Sequence, residues 1–392
     1  MAAPLDLPII DLSALLSLSA GEAPTDAVLS AAAAAASGLH RFGLLLVRDP
    51  RATDADNDAF LDMLESYFEQ DEPVKLADVR KDLFYQVGTT PSHVELPRDH
   101  CERMRAFATA DKPLSLCPPE KDPKWRFFWR IGTPPASTRF PQLNAAPVVP
   151  AAFPGWATAM DSWGASLLGA ARSVAELAAL GFGLSRDAFT SRMEGGPHLL
   201  APTASDFNRF GGAGTVLAGY HYDLNFITAH GRSRYPGLYV WTRDGQRMAV
   251  KVPTGCLLVQ AGAQFQYLTG GHVLAGFHEV VVTDATVAAI DAARAVKRSL
   301  WRISSTLFSH IASDQSLEPI GAFATAEATA ACEHTTRLGA TRNPRPLNLK
   351  PPHNTTTCKT DPPIFAGDQV ARELAAINLG EGSDGTDGSA AR

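Results

Sequence analysis

The chain has 392 residues, room for one large domain or two ordinary ones, and carries 35 basic against 41 acidic side chains for a net charge of −6. Without a dense Lys/Arg block, this balance gives nucleic-acid binding no support. The cysteines Cys101, Cys117, Cys256, Cys332 and Cys358 are odd in number and form no Cys-x-x-Cys pair, which argues against a disulfide framework or zinc ribbon and for reduced thiols in a cytoplasmic protein.

The opening Met1-Ala2-Ala3-Pro4-Leu5 segment lacks a basic stretch leading into an apolar core, so neither a signal peptide nor a membrane anchor is expected. Pro8-Ile9-Ile10-Asp11-Leu12 reads as a short strand and Leu44-Leu45-Leu46-Val47 as a second. Between them the alanine run Ala31–Ala36 reads as a helix with a capped start at Thr25-Asp26 and a glycine stop at Ser37-Gly38. A helix over Asp54 to Glu69 follows, with Phe60, Leu61, Leu64, Tyr67 and Phe68 on one side. The aromatic runs Phe84-Tyr85 and Trp125-Arg126-Phe127-Phe128-Trp129-Arg130 are candidate pocket linings, with ordinary core packing as the competing role. Met160, Trp163, Leu167, Ala171, Val174 and Ala178 keep helical spacing up to Gly181, which predicts a helix that backs a sheet.

From Thr203 to Phe308 the pattern changes to short β-type runs separated by turn residues. Leu238-Tyr239-Val240-Trp241 joins Met248–Val252 through Asp244-Gly245, a hairpin signal, and Cys256–Val259, His278–Val282 and Arg302–Phe308 follow. Such regular short strands indicate a sandwich or barrel. Residues beyond Pro319 are rich in Pro, Thr and Ala and read as an extended arm, with one last helix over Asp368 to Leu379 and a disordered tail after it.

Inside the β-rich region lie His221-Tyr222-Asp223 and a later His278. Residues two apart on a strand share a face, so His221 and Asp223 can offer an imidazole and a carboxylate to one point, and His278 from another strand can complete the set. Two histidines and one carboxylate leave coordination positions open, which suits Fe(II) meeting O2 and a bidentate co-substrate. His230 and His272 are rival ligands, but each sits in a turn-like setting and is expected to be a loop histidine. Arg302 and Ser304 also share a strand face, and a guanidinium fork suits capture of a carboxylate.

The order Asn208-x-Phe210, His221-x-Asp223, Gly237-Leu238, Pro253-Thr254-Gly255, Thr269-Gly270-Gly271, His278 and Arg302-x-Ser304 resembles the isopenicillin N synthase-like branch of the Fe(II)/2-oxoglutarate-dependent oxygenases. The likeness runs over roughly residues 5–310. It implies a mixed α/β, β-rich fold: a double-stranded β-helix, or jelly-roll, core with an N-terminal helical region and backing helices. Together with the composition beyond Pro319, this divides the chain into residues 1–150 as an N-terminal region on the core, 151–318 as the catalytic core, 319–379 as the arm and 380–392 as the tail. It further implies Fe(II) on His221, Asp223 and His278, with 2-oxoglutarate and O2 as co-substrates. Arg302, Ser304 and Asn208 would hold 2-oxoglutarate, and Tyr85, Arg126, Trp129, Asn225 and Phe226 are the pocket residues expected to meet a small-molecule substrate. Phe210 stands where many relatives carry a tyrosine, an Asp284–Val296 helix lengthens the segment after His278, and Glu279 replaces a common basic residue. The alternatives are a 2-oxoglutarate-independent oxidase in which Arg302 holds the substrate, and a non-catalytic metal-bearing scaffold.

Overall fold

The structure, a computed structural model, describes residues 7–19, 21–324, 364–377 and 379. Thr25 accepts a hydrogen bond from the Val28 amide and starts the helix Asp26–Phe42, which ends only at Gly43, in the left-handed conformation at φ 67°. The expected stop at Gly38 is corrected. Gly38 is buried inside the helix against Leu45 and Pro8, where a side chain would collide, so this glycine serves packing and does not end the helix. Val28, Ala32, Ala35 and Leu39 form the buried face of this helix. It lies on the long helix Trp156–Gly181, where Gly181 permits backbone approach to Ala32. The helix Asp54–Phe68 opens on a capping box between Thr53 and Asp56.

The strands are β1 (Ile9–Asp11), β2 (Leu44–Arg48), β3 (Gly88–Thr90), β4 (Trp125–Ile131), β5 (His198–Leu200), β6 (Thr203–Asp206) and β7 (Val216–His221). They continue as β8 (Ile227–His230), β9 (Leu238–Trp241), β10 (Arg247–Ala249), β11 (Leu257–Ala261), β12 (His278–Val281), β13 (Trp301–Ser304) and β14 (Thr306–Ser309). The larger sheet runs β1-β2-β11-β8-β14-β5-β4-β6-β13 with β3 on β4, and the smaller runs β10-β9-β12-β7. Among the described strands only β1 and β2 pair in parallel. The long helix backs the larger sheet, as its apolar spacing predicts: Trp163, Leu167, Ala171 and Val174 share one core with Ile131, Ala229 and Leu307.

Three further expectations change. The run Arg302–Phe308 is two strands broken at Ser305: β13 pairs with β6, whereas β14 pairs with β5 and β8, and the Ser305 carbonyl at the break accepts from the Gly231 amide. The aromatic run at Trp125 is a strand in the middle of the larger sheet, so its aromatics alternate between the two faces. Cys101 and Cys117 form a disulfide, which overturns the reduced-thiol reading for that pair; Cys256 is free and buried, and Cys332 and Cys358 lie outside the described residues.

The last helix, Ala366–Ala376, packs on the core through Val370 and Leu374. Among the described residues no helix is long and apolar enough to cross a membrane. Most of the expected arm and tail lies outside the described residues.

Candidate metal centre

The tripeptides Gly219-Tyr220-His221 and Gly276-Phe277-His278 carry the two histidines on neighbouring antiparallel strands, with His278 directly opposite His221. On one face the imidazoles approach with ring centroids 4.3 Å apart, and on the other Tyr220 stacks on Phe277 at 4.8 Å. Each histidine is oriented by the glycine two residues before it. His221 Nδ1 lies 2.6 Å from the Gly219 carbonyl oxygen and His278 Nδ1 lies 3.1 Å from that of Gly276, so each donates Nδ1–H and turns an Nε2 lone pair inward.

Asp223 does not share the strand with His221, as the sequence pattern suggests. β7 ends at His221, and the carboxylate is delivered by the turn that follows. The Asp223 carbonyl accepts from Ala263 N at 2.8 Å, and Gly262 lets the chain leaving β11 pass against this turn, where a Cβ would strike the Asn225 carbonyl. Thr228 donates to Asp223 Oδ2 at 2.6 Å, which leaves Oδ1 3.9 Å from each Nε2. The three ligand atoms all lie within 4.8 Å of one another. The two 3.9 Å separations fall within the roughly 4.2 Å that one ion can span through bonds near 2.1 Å, and the three atoms together form a donor set able to hold a divalent metal.

Electrostatics agree with that use. Burial, and then the neighbouring His278, hold the His221 imidazole well below its usual value and keep it a neutral donor. Burial opposes ionisation of Asp223, but His278, His221 and the Thr228 hydroxyl outweigh it and hold the carboxyl below its usual range. Glu279, fully buried on the opposite face, accepts from the Leu114 and Ser115 amides and pairs with Arg247 at 3.0 Å. Ser115 Oγ in turn accepts from the Tyr220 amide at 2.6 Å, so the loop closed by the disulfide is fastened beside both ligand strands.

Arg302 and Ser304 share a face of β13, opposite Ser205 and Thr203 of β6. Arg302 is 6% exposed, its Nε has no hydrogen-bond partner, and no carboxylate among the described residues pairs with it. Burial lowers its guanidinium to about 10, so it still carries its charge at neutral pH. A desolvated lone cation is costly, and a bound anion relieves that cost.

The remaining sequence candidates divide. Asn208 is exposed on the short helix Phe207–Phe210, and its backbone amide donates to its own cap, Asp206; it is removed from the anion-binding set because the chain turns outward after β6. Phe210 faces His93, not Arg302. Trp129 donates Nε1–H to Asp161 on the backing helix, and Phe226 is core between Phe189 and Phe265. Asn225 donates Nδ2–H to the Ser309 carbonyl, and its own backbone carbonyl accepts from the Gln264 amide, so it supports the Asp223 turn. These three are therefore corrected from pocket lining to structural roles. Arg126 lies over the Phe128 and Phe308 rings and pairs with Glu95 at 3.1 Å, within a buried network that adds Lys124 and Asp122. Tyr85 packs with the same apolar group as Phe128 and Leu374. Phe308 stands directly opposite Thr228, so Arg126, Phe128 and Tyr85 stay on the side of the ligands.

His272 is a loop histidine stacked on His40, as expected, but His230 is not. It ends β8, half-buried, with Thr306 Oγ1 at 3.0 Å from its Nδ1. Sequence reasoning missed Thr228, Gln260 and the Lys124 network; only the repeated Gly-aromatic-His tripeptide was there to be read.

No protein-family model and no curated protein matches the chain. Its neighbours among solved structures are 2OG-Fe(II) oxygenase family proteins. One, from Caulobacter crescentus, is 21% identical with a TM-score of 0.64 over 94% of this chain and 98% of its own. A full-length Neurospora crassa protein solved with alpha-KG and thymine is 18% identical, TM-score 0.65, over 96% and 99%. The dioxygenase for auxin oxidation 1 of Arabidopsis thaliana, solved with 2-oxoglutarate, is 16% identical, TM-score 0.55, over 82% and 99%. At these identities the likeness establishes the fold.

Proposed function

We propose that this chain is a non-haem Fe(II)- and 2-oxoglutarate-dependent oxygenase of a small organic substrate, its two sheets forming the double-stranded β-helix of that class. The observation that carries the reading is Arg302, a buried cation without a carboxylate partner, in the same fold as three converged metal donors. His221 Nε2, His278 Nε2 and Asp223 Oδ1 hold the metal, and this two-imidazole, one-carboxylate set leaves the positions that Fe(II) oxygenases use. Arg302 and Ser304 hold the distal carboxylate of 2-oxoglutarate. Bound iron and 2-oxoglutarate supply the oxidising chemistry, in which O2 is consumed and succinate and CO2 are released. The protein's part is to orient the donors, desolvate the anion and exclude water. Arg126, Phe128, Phe308 and Tyr85 supply the substrate wall, apolar rings with one guanidinium over them.

Anaerobic titration with Fe(II), with and without 2-oxoglutarate, tests this directly. The visible metal-to-ligand charge-transfer band is expected only when both are present, and succinate is expected once O2 and substrate are admitted. Iron binding and O2 uptake without that band make the chain a 2-oxoglutarate-independent oxidase in which Arg302 anchors the substrate. Metal binding with no iron-dependent O2 uptake leaves the non-catalytic metal-bearing scaffold.

A further inference from the structure

Four polar side chains from four strands join end to end beside Arg302. Ser304 Oγ lies 3.1 Å from Thr306 Oγ1, Thr306 Oγ1 lies 3.0 Å from His230 Nδ1, and His230 Nε2 lies 3.0 Å from Gln260 Nε2. The strand register places them so: Thr306 is directly opposite His230, and Gln260 is opposite Thr228, two residues before His230. Gln260 and Thr306 are buried, His230 and Ser304 are half-buried, and Leu258 stands opposite His230.

The chain has a direction. Gln260 turns its amide NH2 toward His230, although this leaves Gln260 Oε1 buried without a partner. His230 Nε2 is therefore an acceptor, and the ring's proton sits on Nδ1, donated to Thr306 Oγ1. Thr306 then donates its own hydrogen to Ser304 Oγ, and the Ser304 hydrogen is left to point elsewhere. Ser304 shares its strand face with Arg302. In the reverse sense, with the Gln260 carbonyl accepting, Ser304 would donate inward to Thr306 and present only lone pairs beside Arg302, which repels an anion. His230 must be neutral for either sense, and burial brings it down to about 4.

We propose that Gln260, His230 and Thr306 are positioning residues that orient the Ser304 hydroxyl as a donor to the anion held by Arg302. The inference rests on the functional reading above, with 2-oxoglutarate as that anion. Neither His230 nor Gln260 touches the ligand; they set the hydrogen-bond polarity of the residue that does.

The test is equilibrium binding of 2-oxoglutarate to the full-length Fe(II)-loaded protein under anaerobic conditions, followed by the charge-transfer band. Thr306→Val keeps the shape and deletes the hydroxyl, and should weaken 2-oxoglutarate roughly 5- to 10-fold, less than the loss of a whole hydrogen bond to a charged group because Ser304 keeps its hydroxyl and loses only its orientation. His230→Phe should weaken it to a similar extent, and the two together no more than either alone, because each cuts the same chain. Thr306→Ser, which keeps the hydroxyl and loses the methyl, should bind within about twofold of wild type. Fe(II) affinity and melting temperature of the Thr306 variants should stay near wild type; if His230→Phe does not fold, the Thr306 pair alone decides. Normal 2-oxoglutarate binding by Thr306→Val alongside weakened binding by Arg302→Gln overturns the relay and leaves the functional reading standing. Equal damage from Thr306→Ser and Thr306→Val also overturns it, since that marks a packing role. A wild type that does not bind 2-oxoglutarate overturns the functional reading, and this inference with it.

Discussion

Asp223 is the one metal donor that no strand holds in place, and its environment compensates. Thr228 occupies Oδ2, so Oδ1 alone faces the two imidazoles. Asp223→Ala should abolish iron-dependent turnover while the melting temperature stays near that of wild type, because only the carboxylate is removed from a turn held by backbone bonds. Thr228→Val should weaken iron roughly 10- to 100-fold, the usual consequence of losing a partner that orients a ligand; iron titration of both variants checks the pair. Retention of full iron occupancy by Asp223→Ala would count against the site. For Arg302, losing one partner of a desolvated charge pair costs about 2–5 kcal/mol. Arg302→Gln should then raise the apparent 2-oxoglutarate constant about 30-fold or more at unchanged iron affinity.

At the scale of elements, the helix Ala366–Ala376 matters most to the site. Gln369 donates to the carbonyl of Leu224, next to Asp223, and accepts from Gln264, while Glu373 pairs at 3.1 Å with Arg98, which reaches Tyr222. Val370 and Leu374 are buried with Phe128, Phe140 and Leu143. Full burial of side chains this size contributes roughly 1.5–3 kcal/mol each. A chain ending after Glu318 keeps all three metal ligands and should still bind iron, but it should lose turnover and gain protease sensitivity near the exposed Phe128 group. Limited proteolysis and iron titration separate that outcome from unfolding, which would place the helix inside the catalytic core.

Across the whole molecule, buried neutral histidines set the acid limit. His198 and His310 are each held at about 3, chiefly by burial, and the His310 amide donates to His198 Nδ1 at 3.0 Å. In the unfolded chain a histidine takes up its proton near 6.5. Between about pH 6.5 and 3 the unfolded state therefore binds more protons than the native one, so the stability these histidines contribute is complete above pH 6.5 and is lost as the pH falls. Each contributes a slope of up to about 1.4 kcal/mol per pH unit in that window. Denaturant unfolding of wild type and His310→Gln across pH 4 to 7 should show a shallower acid loss in the variant. Parallel curves would mean that His310 ionises in the folded protein.

What the sequence alone determined here is what short-range periodicity controls. The apolar spacing of Trp163, Leu167, Ala171 and Val174 specifies the backing helix, Asp244-Gly245 specifies the β9–β10 turn, and the histidine, aspartate and arginine motifs mark the chemistry. The twin Gly-aromatic-His tripeptides carried more than was read from them, since each glycine carbonyl two residues back sets its histidine's tautomer. Tertiary structure decided the rest, because the deciding partners are far apart in sequence and have no spacing rule. Thr228 could be matched to the Asp223 carboxylate only once the turn was folded, and His230 gained its Thr306 partner only when β14 paired with β8. Asn208, Trp129, Asn225 and Phe226 lost their expected roles for the same reason: which way a side chain faces depends on where its strand ends, and strand ends are settled by pairing with distant segments.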